Sequence, residues 1–320
     1  MNTYKANNES VLSASEIIKS GGLVAFPTET VYGLGADGLN PLAVAKIFEA
    51  KKRPTFNPLI LHIADISWLK KLTSIENGRI EQLINKFWPG PLTLVLTKTE
   101  LVPDIVTSGN PTVAVRMPNH PVALQLIEMS GRPIAAPSAN KFGHLSPTEA
   151  AHVAKYLGDK VDMILDGGKC SVGVESTIVQ FHNDEFYLLR HGGLSKEEIE
   201  KEIGEIKIRI ADENKPNSPG QLPFHYSPNT PLKFFSEKLL DENKKLGVLF
   251  FKENKYEFPF ADARVLSSNG NLREAAANLF SFLHDLEKEN LDLILVEPIE
   301  EKGLGRAIMD RLRKATKQHE

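Results

Sequence analysis

Between positions 21 and 63 two short apolar runs, 23–26 and 59–61, enclose a polar stretch, a helix-forming stretch and three consecutive cations. Strand, helix and strand in that order point to an α/β protein whose polar groups gather at strand ends. Pro27 ends the first run, because proline has no N–H to give a central ladder. Thr28, Glu29, Thr30 and Tyr32 follow, and Gly33, Gly35 and Gly38 read as a loop that lets a ligand approach the backbone closely. Asn40 and Pro41 read as the N-cap and first residue of a helix with Leu42, Ala45, Ile47 and Phe48 on its apolar face. Lys51, Lys52 and Arg53 close it, and Pro54 disfavours further helix at a C-terminus whose dipole favours cations. A solvated helix end is the ordinary reading of such a run. Here Asn57, the second apolar run and His62 follow closely, so two strand ends and the basic turn can converge on a polyanion pocket. The letters G-x-G-x-x-G at 33–38 are a decoy for a dinucleotide site: residues 27–32 separate them from the strand, and no acid stands where the ribose partner belongs.

A chain of 320 residues with 41% hydrophobic content can bury a sizeable core and is long enough for about two domains. With 38 Lys and Arg against 41 Asp and Glu, the formal charge of -3 excludes a wholly basic nucleic-acid-coating surface and leaves room for a local basic groove. The single cysteine, Cys170, excludes an intramolecular disulfide framework and a cysteine-cluster metal site. It lies in a Gly-Gly-Lys-Cys-Ser turn without a paired base and reads as incidental. The first ten residues carry no apolar signal core, and no run approaches the ~18 apolar residues of a membrane span. A soluble, cytoplasmic protein is expected.

Further along, helical spacing from Ile80 to Phe87 stops at Trp88-Pro-Gly-Pro91, and a strand follows over 92–96. The stretch 112–117, TVAVRM, alternates as a strand and projects Arg116, which either pairs with an acid or grips a carboxylate in bidentate fashion. After a helix over 120–129, a short strand over 133–136 runs into Pro137-Ser138-Ala139-Asn140, a second polar strand end for which a plain Ser/Asn turn is the alternative. Ser146-Pro-Thr-Glu149 reads as a capping box that starts a helix over 147–157, with free N–H groups suited to an anion. Ser176 stands at another strand start, Arg190 ends a strand, and a second capping box lies at Ser195 to Glu198. Residues 211–231 lack periodicity and are rich in Pro, Asn and Ser, as a linker is, yet carry the aromatic patch Phe224-His225-Tyr226-Ser227-Pro228, which a solvated tether would not need. That patch is expected to dock. Strand-like LKFF, GVLFF and RVLSS, a helix over 272–286, DLILVEP and a basic terminal helix then make a small α/β unit.

Taken in order, PTETVYGLG, KKRP, NPL, VAVRMP, APSAN, SPT, GVESTI and HYSPNTPL resemble the YrdC-domain family in its long form, the L-threonylcarbamoyladenylate synthases with an extra C-terminal domain. The likeness spans essentially the whole chain, and its specificity lies in many weak motifs kept in sequence. It implies a twisted α/β sheet curled around a deep cleft in 1–205, an interdomain linker with the HYSP segment in 206–231, and a smaller Rossmann-like α/β domain in 232–320. It also implies that L-threonine, bicarbonate and ATP with Mg2+ give threonylcarbamoyl-AMP and pyrophosphate. The product would pass to a downstream tRNA threonylcarbamoyl transferase for tRNA modification.

By similarity Thr30, His62, Arg116 and Ser176 hold threonine, with the backbone of Ala136, while Lys51, Arg53, Asn57, Thr112, Ser138, Asn140, Ser146, Arg190 and Tyr226 surround ATP. Tyr226 would close the pocket over nucleotide. No dedicated metal cage is expected, Glu29 and Glu175 being read as structural. Two other readings stand beside this one: an RNA-binding role, and carbamoyl-phosphate handling as in the related domain of hydrogenase maturation. The first lacks a basic stripe or a base-stacking sheet face, and the second lacks its acylphosphatase-like and zinc-motif neighbours. The role of the C-terminal domain, the oligomeric state and direct tRNA contact stay open.

Overall fold

The computed structural model describes residues 2–74, 77–208, 218–220 and 225–317. In the first domain the elements are β1 (Thr3–Lys5), α1 (Asn8–Lys19), β2 (Val24–Phe26), β3 (Gly33–Asp37), α2 (Pro41–Lys51), β4 (Ile60–His62), α3 (Ile66–Leu72) and α4 (Gly78–Phe87). They continue as β5 (Leu92–Thr97), α5 (Asp104–Thr107), β6 (Thr112–Arg116), α6 (Pro121–Ser130), β7 (Ile134–Ala135), α7 (Ala150–Leu157), β8 (Met163–Asp166), β9 (Thr177–His182), β10 (Glu185–Arg190), α8 (Lys196–Ile203) and β11 (Lys207–Ile208). Among the described residues the strands form one mixed sheet in the order β1-β8-β2-β3-β7-β4-β6-β5-β9-β10-β11. A sheet of this width must coil strongly, because each neighbour adds to the right-handed twist. Helices cover both faces. Val11, Ile18, Leu126 and Ile127 of α1 and α6 pack with Phe26 and Ile134 on one side. Val44, Ile47 and Leu83 of α2 and α4 pack with Leu34, Leu61, Leu94 and Val115 on the other.

The helix expected after Asn40 is α2, capped by the Asn40 side chain with Pro41 in its first turn. The glycine stretch departs from expectation. Gly33 and Gly35 are not in a loop but in β3, paired antiparallel with β2 so that Phe26 faces Gly33 and Val24 faces Gly35. A Cβ on Gly35 would lie 2.7 Å from Phe26 Cε1 and 2.8 Å from Ile134 Cγ2, so this glycine makes room for a buried ring rather than for a ligand. The capping box at 146–149 also fails. α7 begins at Ala150 with Glu149 as an N-cap whose side chain makes no capping bond, and the Ser146 hydroxyl donates instead to the buried carboxylate of Glu175. Smaller shifts place His62 inside β4 and make His120 the N-cap of α6. The second capping box, at Ser195 and Glu198, forms as read.

The second domain comprises β12 (Leu232–Phe234), β13 (Leu246–Phe250), β14 (Asp262–Val265), α9 (Leu272–Leu286), β15 (Leu293–Val296) and α10 (Gly305–Thr316). Its strands form a parallel sheet in the order β12-β15-β13-β14. Its core is continuous with the first domain: Val31, Leu145, Val174 and Tyr226 are buried in the same cluster as Leu279, Phe280, Ile308 and Leu312. The aromatic segment before β12 therefore docks, at least through His225 and Tyr226, both buried. Residues 211–217 and 221–224 of the expected linker, Phe224 among them, lie outside the described residues. Among those described, no helix is long and apolar enough to cross a membrane.

Candidate active site

The sheet order brings the polar strand ends together. β4 and β6 are parallel neighbours whose register sets His62 beside Arg116, and β3 continues into a bridge between Gly33 and Ser138. Arg116 Nη1 donates to Thr30 Oγ1 at 2.9 Å and Nε to the Gly90 carbonyl at 3.2 Å. Its Nη2 lies 2.6 Å from Glu29 Oε1. Of the two readings of this arginine, the structure shows the pairing with an acid; another edge of the guanidinium faces the Thr30 hydroxyl. Burial, reinforced by Arg116, pushes the His62 imidazole down to about 3, so it is neutral at ordinary pH. Its Nδ1 has no hydrogen-bond partner among the described residues. Ser176 Oγ is fixed between Thr93 Oγ1 at 2.7 Å and Arg190 Nη2 at 3.1 Å.

Beside this end the groups turn basic. Arg53 donates from Nε to the Asn57 carbonyl at 3.1 Å and from Nη2 to the Pro58 carbonyl at 2.9 Å. Arg190 donates to the Ser176 carbonyl at 3.0 and 2.9 Å and to the Pro219 carbonyl at 3.3 Å. Lys51 Nζ reaches the Ser138 carbonyl at 2.6 Å, the Asn140 carbonyl and Asn140 Oδ1 at 3.3 Å. Each of these cations is satisfied by neutral oxygens, and among the described residues none has a carboxylate within ion-pair distance. Burial lowers all three pKa values, Arg53 to about 9, with Arg53 adding to the depression of Lys51. A cluster of buried, uncompensated cations is a ready site for a polyanion.

Thr30, His62, Arg116, Ala136 and Ser176 line one cavity together with Arg53, Ser138, Arg190 and Tyr226. Lys51, Asn57, Asn140 and Ser146 stand directly behind that wall, each bonded to a residue that forms it. The Asn57 side-chain amide is buried without a hydrogen-bond partner among the described residues. Thr112 is apart: it starts β6, paired with Thr97, roughly 13 Å along the strand from Arg116 at the usual rise per residue. Lys52 is exposed at the helix end, so only the flanking cations of the basic run turn inward. The lining also includes Glu175, Pro219, Gly220 and His225, which sequence reasoning did not assign to the site. The free space within is about 50 Å³, room for one or two waters and far below the roughly 300 Å³ at which ligand pockets begin. Pro219, Gly220, His225 and Tyr226 form part of its wall.

The α/β fold thus holds a cleft with an arginine-centred end and a polycationic end, lined in part by the interdomain segment. Residues 16–192 match the Sua5–YciO–YrdC family, described as telomere recombination, and residues 194–316 match the threonylcarbamoyl-AMP synthase C-terminal domain. The chain belongs to the Sua5–YciO–YrdC family. It is 47% identical over 321 residues to a threonylcarbamoyl-AMP synthase of Pyrococcus abyssi, covering 95% of this chain and 93% of that one. With the threonylcarbamoyl-AMP synthase of Bacillus subtilis it shares 43% identity over 323 residues, covering 97% and 93%. The crystal structure of P. abyssi Sua5 complexed with L-threonine superposes with a TM-score of 0.91 at 44% identity, covering 99% of this chain and 97% of that one. Escherichia coli YciO, at 24% identity and a TM-score of 0.52, shares the fold of the first domain over 59% of this chain and 93% of its own.

Proposed function

We propose that this protein is a threonylcarbamoyl-AMP synthase, which joins L-threonine, bicarbonate and ATP and releases pyrophosphate. The observation that carries the reading is the single cavity in which the end around Arg116 meets Arg53 and Arg190, two cations with no ion-pair partner among the described residues. Arg116 and Thr30 take the threonine carboxylate, where a planar guanidinium matches two oxygens. The free Nδ1 of neutral His62 accepts a hydrogen bond from the amine and orients its lone pair. As the new N–C bond forms, the C–OH bond of bicarbonate breaks and the departing hydroxide takes a proton from the amine to leave as water; a carbamate oxygen then attacks the α-phosphorus while the bond to the pyrophosphate leaving group breaks. No protein nucleophile is needed. Arg53 and Arg190 offset the charge that develops on the phosphates, with Lys51 holding the Ser138–Asn140 turn beside them. Tyr226 and its neighbours exclude water from the mixed anhydride.

The carboxylates nearest the cleft, Glu29 and Glu175, are paired with Arg116 and Arg311, and among the described residues no group of three His, Cys, Asp or Glu could hold a metal ion. These residues do not form a resident magnesium site. Magnesium belongs to the triphosphate it accompanies, and no step above runs through it. The test is pyrophosphate release with L-threonine, L-serine or no amino acid in the presence of bicarbonate, following the nucleotide product by mass. Threonine-dependent release with a threonylcarbamoyl-adenylate mass is expected. Release without threonine dependence, or none from a folded protein that binds ATP, overturns the reading.

A further inference from the structure

Arg311 of α10 is the largest fully buried side chain among the described residues, 1% exposed; it belongs to the small domain, and apart from Asp310 and the Ala307 carbonyl of its own helix its partners belong to the cleft. Its Nε and Nη2 meet Glu175 Oε2 at 3.0 and 2.9 Å. Its Nη1 donates to the His191 carbonyl at 2.5 Å, and its guanidinium carbon lies 5.2 Å from the centre of the Tyr226 ring. The other oxygen of Glu175 takes the Ser146 hydroxyl. One cation thus touches the wall residue Glu175, the covering residue Tyr226 and the carbonyl next to Arg190.

We infer that Arg311 is a positioning residue for the nucleotide end of the cleft, supplied by the small domain to keep the Glu175 carboxylate neutralised and turned toward Ser146. The inference rests on the function proposed above. Glu175 lines a cavity otherwise rich in cations. Burial alone would raise its pKa, but Arg311, then Arg190 and Ser146, hold it below the ordinary carboxylate value, so it is ionised. An unpaired carboxylate there would repel a triphosphate, and Arg190 is the next cation within its field. Without Arg311, Glu175 is drawn toward Arg190 and removes it from the polyanion. The guanidinium on Oε2 and the Ser146 hydroxyl on Oε1 together prevent this, because they hold the orientation of the carboxylate as well as neutralise it. The amino-acid end is held separately: Ser176 Oγ rests on Thr93, and Arg116 rests on Thr30, Glu29 and the Gly90 carbonyl.

The experiment compares Arg311→Met, Glu175→Gln and the double variant in the full chain. Pyrophosphate release gives the KM for ATP, and calorimetry without nucleotide gives the affinity for L-threonine. Arg311→Met is expected to raise the KM for ATP about tenfold or more while threonine affinity changes far less. Adding Glu175→Gln should restore the KM toward wild type, because the errant charge is gone. A stability role alone would move threonine affinity together with the KM for ATP, so the rescue counts only where threonine affinity stays near wild type in all three variants. Should Arg311→Met fail to fold, Arg311→Lys keeps the charge but loses the span from Glu175 to the His191 carbonyl, and a smaller rise with the same rescue is expected. An unchanged KM for ATP in the folded variant, equal losses for ATP and threonine, or no rescue overturns the inference. An inactive wild type instead counts against the proposed function, so the two failures are distinguishable.

Discussion

Glu29 Oε1 lies 2.6 Å from Arg116 Nη2, with the two side chains 6% and 4% exposed. Neither oxygen of Glu29 makes a well-directed hydrogen bond, so the contact is one of charge more than of geometry. Glu29 is the countercharge of Arg116, and on the proposed function the threonine carboxylate would come to the same guanidinium. Glu29→Gln should therefore lower the stability of the unliganded protein by about 3 kcal/mol, since it leaves a buried guanidinium unpaired. Saturating L-threonine should raise the melting temperature of the variant more than that of the wild type. Thermal melts with and without L-threonine check this, and an equal or smaller shift in the variant would count against it.

Lys51 acts as a strut rather than a surface charge. Its ammonium satisfies oxygens of Ser138 and Asn140 at once, and those residues carry the turn beside the basic end. Lys51→Met should orphan these acceptors and cost about 1–3 kcal/mol of stability. The KM for ATP should rise with little change in threonine affinity. Urea unfolding together with steady-state kinetics separates the two effects, and a loss confined to threonine would refute the assignment.

How much of this was legible in the sequence depends on how local each determinant is. The Asn40 cap, the Pro41 start and the strand ends carrying His62, Arg116 and Ser138 follow from short-range rules, and the structure keeps them. Gly33 and Gly35 misled because glycine signals a turn locally, whereas the demand for it here comes from the ring of Phe26 on the neighbouring strand. Ser146 misled for a related reason: the capping pattern is complete in letters, but a carboxylate at Glu175, remote in sequence, competes for the hydroxyl. Arg311 left one faint signal. It falls on the same stripe of α10 as Ile308, Leu312 and Ala315, all buried, and a charge on an apolar stripe calls for a buried partner.

The joint between the domains contains a stacked pair, His152 on α7 and His284 on α9, with ring centres 3.8 Å apart. Burial lowers both pKa values from 6.5, His152 to about 3 with His284 adding to the effect, and His284 to about 4. Lys155 and Lys288 deepen both depressions, while Asp285 opposes that of His152 and Glu287 that of His284. A depressed imidazole leaves the unfolded state binding more protons below its ordinary pKa. The stability it protects is therefore complete above about pH 6.5 and lost as the pH falls toward the folded values. Each histidine should cost about 2 kcal/mol by about pH 5. The urea midpoint should accordingly drop between about pH 7 and about pH 5, and drop less in His152→Phe, which keeps a stacked ring without a proton site. Parallel profiles for the two proteins would argue against the pair as the cause.

Tyr226 has a left-handed backbone, φ 66°, and its buried ring lies 4.0 Å from His225 and 5.7 Å from Phe280, centre to centre. A non-glycine residue in that conformation persists where surrounding contacts over-determine it, and here they come from both domains. On the proposed function Tyr226 shields the product, so its ring matters most after the chemistry. Tyr226→Ala should leave threonine-dependent pyrophosphate release in place while the mixed anhydride reaches water, giving AMP at the expense of threonylcarbamoyl-AMP. The ratio of AMP to threonylcarbamoyl-AMP, read by mass as turnover proceeds, should rise about tenfold if closure excludes most of the water. A variant with the wild-type ratio would mean that Tyr226 packs the domain joint without guarding the intermediate.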